Sequence, residues 1–215
     1  MSPGASEASG LSTRSATAQG AVAAAAVESR RRAQPNGWWG MALFLCAEAT
    51  LFGSVIATYF YLDFNSRHWP PPGIERPSVI LPFVATGALV ATAIPMWLAA
   101  RAARAGRRGP VLGLISVAMV IQGCYLALQI ILMAHDSRHF SPRGSAYGSI
   151  YYTMLGLHHA HVLLGILIDL AVLWYVALRG LTNYWLIAVR ATALYWYVVV
   201  GIAVLVVFTQ TSPTL

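Results

Sequence analysis

Five long apolar runs organise this chain. They cover roughly residues 38–62, 78–100, 110–134, 149–178 and 186–208, and short polar loops rich in Arg, Pro, Gly and Ser separate them. Each run meets or exceeds the ~20 residues that an α-helix needs to cross hydrocarbon. Backbone polar groups in a bilayer must be paired within the segment, so each run is expected to be a helix. The pattern predicts an all-α integral membrane protein, a bundle of five transmembrane helices. The second run contains Pro95, which removes a helical donor and predicts a kink or an early end there. Before the first run, residues 1–36 are rich in Ala, Ser, Gly and Thr and lack a core-forming pattern, so they read as a disordered tail. Residues 37–209 form the membrane domain and residues 210–215 a short tail after it.

The polar residues that break the apolar pattern are few. The fourth run carries His158, His159, His161 and Asp169, and the first carries a single acid, Glu48. A charged group at the centre of a membrane helix costs roughly 2.5–3.5 kcal/mol on insertion scales, so such groups mark contacts or function. His158 and His161 are three residues apart and Asp169 returns to the same side after about three turns, which predicts one polar stripe. His159 points about 100° away. Gly156 and Gly165 are small residues that would permit close helix approach.

Two chemistries are open for this stripe. Neutral imidazoles could hold a metal or haem, but a metal site needs three or four convergent ligands. The remaining histidines, His68, His135 and His139, lie in loops. The simpler reading is that the buried histidines bond to neighbouring helices or to Glu48. A lone carboxyl in the bilayer can sit neutral and donate one hydrogen bond, and it can also serve in a proton relay or meet a lipid headgroup. Asp169, nearer the inner end, is expected to reach an interface or Arg179. No internal repeat, phosphate-binding loop, nucleophile elbow or zinc-spaced Cys/His set is present. The absence of a repeat or of paired broken helices argues against a transporter.

Composition supports this class and adds an orientation. The chain is 58% hydrophobic and 10% charged, against about 25% charged in soluble domains. All 14 basic residues are arginine and the net charge is +7. They border the apolar runs, which points to membrane topology and not to nucleic-acid binding. Arg30 to Arg32, Arg101, Arg104, Arg107, Arg108, Arg179 and Arg190 fall in the tail and the even loops. The positive-inside rule therefore places the N-terminus inside and the C-terminus outside. In the first loop Arg67 and Arg76 are accompanied by Asp63 and Glu75. Cys46 and Cys124 both fall within apolar runs and read as small core residues, not as a disulfide pair. Tyr195, Trp196 and Tyr197 sit deep in the last run, facing either the core or a partner.

Two blocks carry a family likeness. The first is Trp38-Trp39-Gly40-Met41, Ala47-Glu48, Phe52-Gly53, Tyr59-Phe60-Tyr61 and the loop Trp69-Pro70-Pro71-Pro72-Gly73. The second runs from Tyr147-Gly148-Ser149 through Gly156-Leu157-His158-His159-Ala160-His161-Val162 to Gly165. Together they resemble subunit III of the haem–copper terminal oxidases, in the short form that lacks the N-terminal helices of the long one. Glu48 matches the family's membrane-embedded glutamate, and Gln129 a glutamine near the end of the third span. The chain departs from the family where Leu132 stands in place of an acid, where Tyr197 and Val200 replace a His and an Asp, and where His159 replaces a glycine.

The resemblance implies a non-catalytic subunit of a respiratory oxidase in a bacterial plasma membrane. It implies no cofactor in this chain, haem and copper in partner subunits, and bound phospholipid. The implied partners are the catalytic subunit I, subunit II and a small subunit IV, with electrons from cytochrome c or quinol. Glu48, Phe52, Gly156, His158, Gly165 and His161 would serve helix packing and a lipid-filled cleft. Glu48, His159 and Asp169 would serve a polar or proton-handling network. Neighbouring alternatives are an accessory subunit of nitric oxide reductase and, from another class, a membrane redox enzyme with its own histidine-ligated metal or haem.

Overall fold

In the computed structural model, residues 36–74, 80–180 and 182–212 are described, and within them six helices make five spans. They are α1 (Asn36–Phe64), α2 (Ile80–Ala91), α3 (Ala93–Arg104), α4 (Arg108–Asp136), α5 (Ala146–Arg179) and α6 (Asn183–Thr211). The expectation for the N-terminal tail, the Glu75 and Arg76 part of the first loop, and the last residues lie outside the described segments. Five helices are long and apolar enough to cross a membrane, which makes this a multi-pass membrane protein.

Each of the five spans overruns its predicted apolar segment by one to several residues at one or both ends. Backbone pairing continues into the polar interface, while hydropathy stops at the hydrocarbon edge. The final helix continues through Thr211. Local chemistry sets the ends. The hydroxyl of Ser145 accepts from the Gly148 amide at the start of α5. Gly180 ends α5 at φ 75°, and Gly106 turns the chain between α3 and α4 at φ 68°. Pro110 sits in the first turn of α4, where no intrahelical donor is needed.

The predicted kink is real and lies just before Pro95. The second span breaks at Thr92, between α2 and α3. Pro95 has no N–H for the Ala91 carbonyl. The Thr92 amide donates to Leu89 O at 3.0 Å and its hydroxyl donates to the same carbonyl at 2.6 Å. The break is thus tied locally by a tighter turn and a side chain.

The spans pack unequally. Helices α2 to α6 form one bundle around a core that includes Leu89, Met96, Ile115, Val162, Val176, Tyr195 and Trp196. Helix α1 is different. None of its Cα atoms comes within 8 Å of a Cα in another described helix. Only 11% of its apolar window is buried, against 61% for the last span. Its buried residues are Leu45, Phe52 and Tyr59, seven apart, with Glu48 and Val55 half-buried between them and Met41 and Leu62 half-buried on either side. This is a narrow a/d seam, the pattern by which one helix meets a neighbour along a single line. Apolar burial from water does not drive helix association within lipid, so α1 is held by close packing and a few hydrogen bonds.

A second apolar cluster anchors one end of α1. Tyr59 packs edge-on to Trp69 with centroids 5.4 Å apart, and Trp69 packs on Tyr147 at 5.1 Å. The loop residue Phe140 packs on Tyr147, Tyr151 and Tyr152. The Tyr152 hydroxyl donates to Phe140 O at 3.1 Å, and the Tyr151 hydroxyl donates to Asp136 Oδ2 at 2.7 Å. At the other end of the bundle, Arg108 donates to the Ala177 carbonyl, joining the start of α4 to the last turn of α5. Both cysteines are free and exposed on the chain's surface. The expectation of core cysteines therefore fails, because each lies on the outward side of its helix.

Candidate functional site

The histidine helix α5 is the centre of the bundle's polar contacts. Its side chains reach three different neighbours, because adjacent positions on a helix diverge by about 100°. His161 turns to α1. Its Nε2 lies 2.6 Å from Glu48 Oε2, and its Nδ1 donates to Leu157 O at 2.7 Å. With Nδ1–H committed to the carbonyl, one further proton lies between Nε2 and Oε2. Either the Glu48 hydroxyl donates to the imidazole, or the imidazolium donates to the carboxylate. The pair is therefore chemically able to hold and hand over one proton. The two side chains are 12% and 18% exposed, so the pair is accessible from the chain's surface.

Two more residues fix His161. Phe52, one turn beyond Glu48, packs edge-on against the imidazole with centroids 5.1 Å apart. The Tyr195 hydroxyl on α6 donates to the His161 carbonyl at 2.6 Å. Glu48 and Phe52 thus bridge from α1 to α5 across a gap that the backbones do not close.

His158 turns away from Glu48. Its Nε2 lies 3.1 Å from the Tyr125 hydroxyl on α4, in a fully buried position. Gln129 and Thr86 flank the same hydroxyl, at a geometry that leaves the Thr86 hydroxyl without a hydrogen bond. Of His158 and His161, either of which could have met Glu48 from its place on the helix, it is His161 that does so. His159 is buried as well, and neither of its ring nitrogens has a hydrogen-bond partner in the structure. Its ring lies 6.1 Å from that of His158.

Asp169 overturns its expectation. It is wholly buried, and its Oδ2 accepts from the Trp196 indole N–H at 2.8 Å. It reaches neither an interface nor Arg179, which is exposed. The polar stripe therefore divides among α1, α4 and α6 and is not one continuous face. One turn before Asp169, Gly165 makes room for the same indole. A Cβ built there would lie 2.6 Å from Trp196 Cζ2 and 2.8 Å from Tyr195 Cε1. Gly165 and Asp169, four apart, form the seat of Trp196. Gly156 does not act this way, because a Cβ at that position meets no heavy atom within 4 Å.

Tyr125, Tyr195 and Trp196 are the partners that residue patterns alone left unassigned. Their one signal is an aromatic residue with a polar tip deep in an apolar run. Tyr195 and Trp196 are fully buried, whereas Tyr197 is 38% exposed, so the aromatic triplet splits between core and surface. Among the described residues no group of three His, Cys, Asp or Glu side chains converges as a metal site would require.

Comparison with known proteins bears on this arrangement. The family profile described as cytochrome c oxidase subunit III matches residues 21–211. The chain is 31% identical over 151 residues to cytochrome c oxidase subunit 3 of Bacillus subtilis, covering 69% of this chain and 72% of that one. It is 29% identical over 150 residues to the cytochrome bo(3) ubiquinol oxidase subunit 3 of Pseudomonas aeruginosa, covering 68% and 70%. It is 28% identical over 149 residues to a probable quinol oxidase subunit 3 of Staphylococcus haemolyticus, covering 69% and 73%. With the two sequence blocks, the five spans and a profile match over nearly the whole chain in agreement, this chain belongs to the cytochrome c oxidase subunit III family.

Proposed function

We propose that this chain is the non-catalytic subunit III of a haem–copper terminal oxidase in aerobic respiratory electron transport. It packs against a catalytic subunit that carries the haems and copper, with subunit II and a small subunit IV in the same complex. Its own role is to stabilise that subunit and to form a lipid-filled cleft linked to oxygen access and proton uptake. The membrane is a bacterial plasma membrane, with the N-terminus inside and the C-terminus outside.

The observation that carries this reading is the Glu48–His161 contact between two helices whose backbones stay apart. A gap spanned by one polar pair and an apolar seam is what a lipid-lined cleft requires. Acyl chains can occupy the space beside α1, and the pair fixes its width. The same pair, partly open at the surface and carrying a mobile proton, suits delivery of protons toward a neighbouring subunit. The electron donor is left open between cytochrome c and quinol, since relatives of both kinds match.

The test is Glu48→Ala in the assembled complex. Haem and copper content should stay normal while bound phospholipid falls and the number of turnovers before inactivation drops. Loss of a haem or metal signal from the complex would instead favour a redox centre at this site and sink the accessory reading.

A further inference from the structure

A second polar feature lies away from Glu48 and His161. The last turns of α3 carry Trp97, Arg101 and Arg104, and with Ala105 they line an open recess of about 550 Å³. The Arg101 guanidinium stands over the Trp97 ring, 4.7 Å from its centroid. Trp97 is itself 45% exposed. Stacking on the indole restrains the guanidinium while leaving its N–H edges free to bond an oxyanion. Among the described residues no carboxylate lies within 4 Å of Arg101 or Arg104. Tyr197 of α6, at the position where the family carries a histidine, lies within electrostatic range of Arg104.

We propose that Trp97, Arg101 and Arg104 bind the phosphodiester headgroup of an anionic membrane phospholipid, at a site separate from the Glu48 cleft. The two guanidinium groups, which meet no carboxylate among the described residues, supply the charge and the donors. The exposed indole supplies the amphipathic wall that sits at headgroup depth. The recess ends a membrane span, so a lipid reaches it laterally with its acyl chains along α3. Solvated arginines at a helix end would also offset the helix dipole. That role needs no stacked tryptophan and no recess, and it predicts no lipid selectivity.

The test uses the full chain in phosphatidylcholine nanodiscs doped with fluorescent phosphatidylglycerol, read by energy transfer from tryptophan. Arg101→Gln with Arg104→Gln should weaken phosphatidylglycerol association on the order of 30-fold, from about one surface-arginine contribution each. The control is Arg107→Gln with Arg179→Gln, which removes the same charge from exposed positions outside the recess. An equal loss in that control would show a diffuse surface potential and overturn the site, as would unchanged binding in the first pair. Excess inorganic phosphate should fail to displace the lipid, and displacement would overturn the assignment to a membrane lipid. Should the double variant lose helix content, Arg104→Gln alone carries the same comparison against Arg107→Gln.

Discussion

Single residues on α5 do separate jobs, and their neighbours decide which. Gly165 and Gly156 look alike in the sequence, yet only Gly165 lies under an aromatic ring. Gly165→Ala should therefore cost about 1–3 kcal/mol through overpacking against Trp196 and Tyr195. Gly156→Ala should be neutral or slightly stabilising, since Ala has the better helix propensity by up to about 1 kcal/mol. Unfolding of the purified chain in mixed detergent micelles measures both, and equal effects would contradict the packing described. Trp196→Phe keeps most of the ring but leaves Asp169 without the indole donor. Its expected cost is about 1–3 kcal/mol, the penalty for an orphaned buried polar group. Glu48 and His161 were both legible as unusual residues. Their pairing was not, because His158 and His161 offered equal candidates until the helices were placed.

At the scale of elements, α1 is the span with the least to hold it. A narrow seam of Leu45, Phe52 and Tyr59, the Glu48–His161 bond and the aromatic cluster near Trp69 are its attachments to the bundle. An interhelical hydrogen bond in lipid is worth about 0.6 kcal/mol on average and about 1.7 at most. Removing Glu48 should therefore loosen α1 without unfolding α2 to α6. Spin labels at exposed positions on α1 and α4, such as Cys46 and Cys124, should give a broader distance distribution in Glu48→Ala than in the parent chain. An unchanged distribution would mean that packing alone fixes α1. The second span teaches a related point. Pro95 predicted a kink, and the structure moves the break to Thr92, because a proline frees a carbonyl on the preceding turn and not at its own position.

For the whole molecule, charge placement and shape make separate statements. The arginine-rich turn around Gly106 and the turn around Pro142 lie at opposite ends of α4. If the positive-inside orientation holds, an alkaline phosphatase fused after Gly106 should be inactive and one fused after Pro142 active. The reverse pattern would invert the topology. The bundle also leaves large apolar side chains outward, among them Leu43, Leu167, Trp174 and Phe208. A bilayer and a partner subunit together account for such a surface, and isolation of the complex with its catalytic chain would test the partner directly. The sequence by itself determined the five spans, their order, the family and the short list of polar residues. Those follow from local hydropathy, backbone pairing and motif spacing, which a linear chain carries in full. Tertiary structure alone decided that His161 and not His158 meets Glu48, that Asp169 is buried against Trp196, and that the cysteines face outward. These depend on how helices rotate about their axes and how far apart they stand. Nearly uniform apolar runs carry too weak an amphipathic pattern to specify that rotation, so packing of a few large side chains sets it.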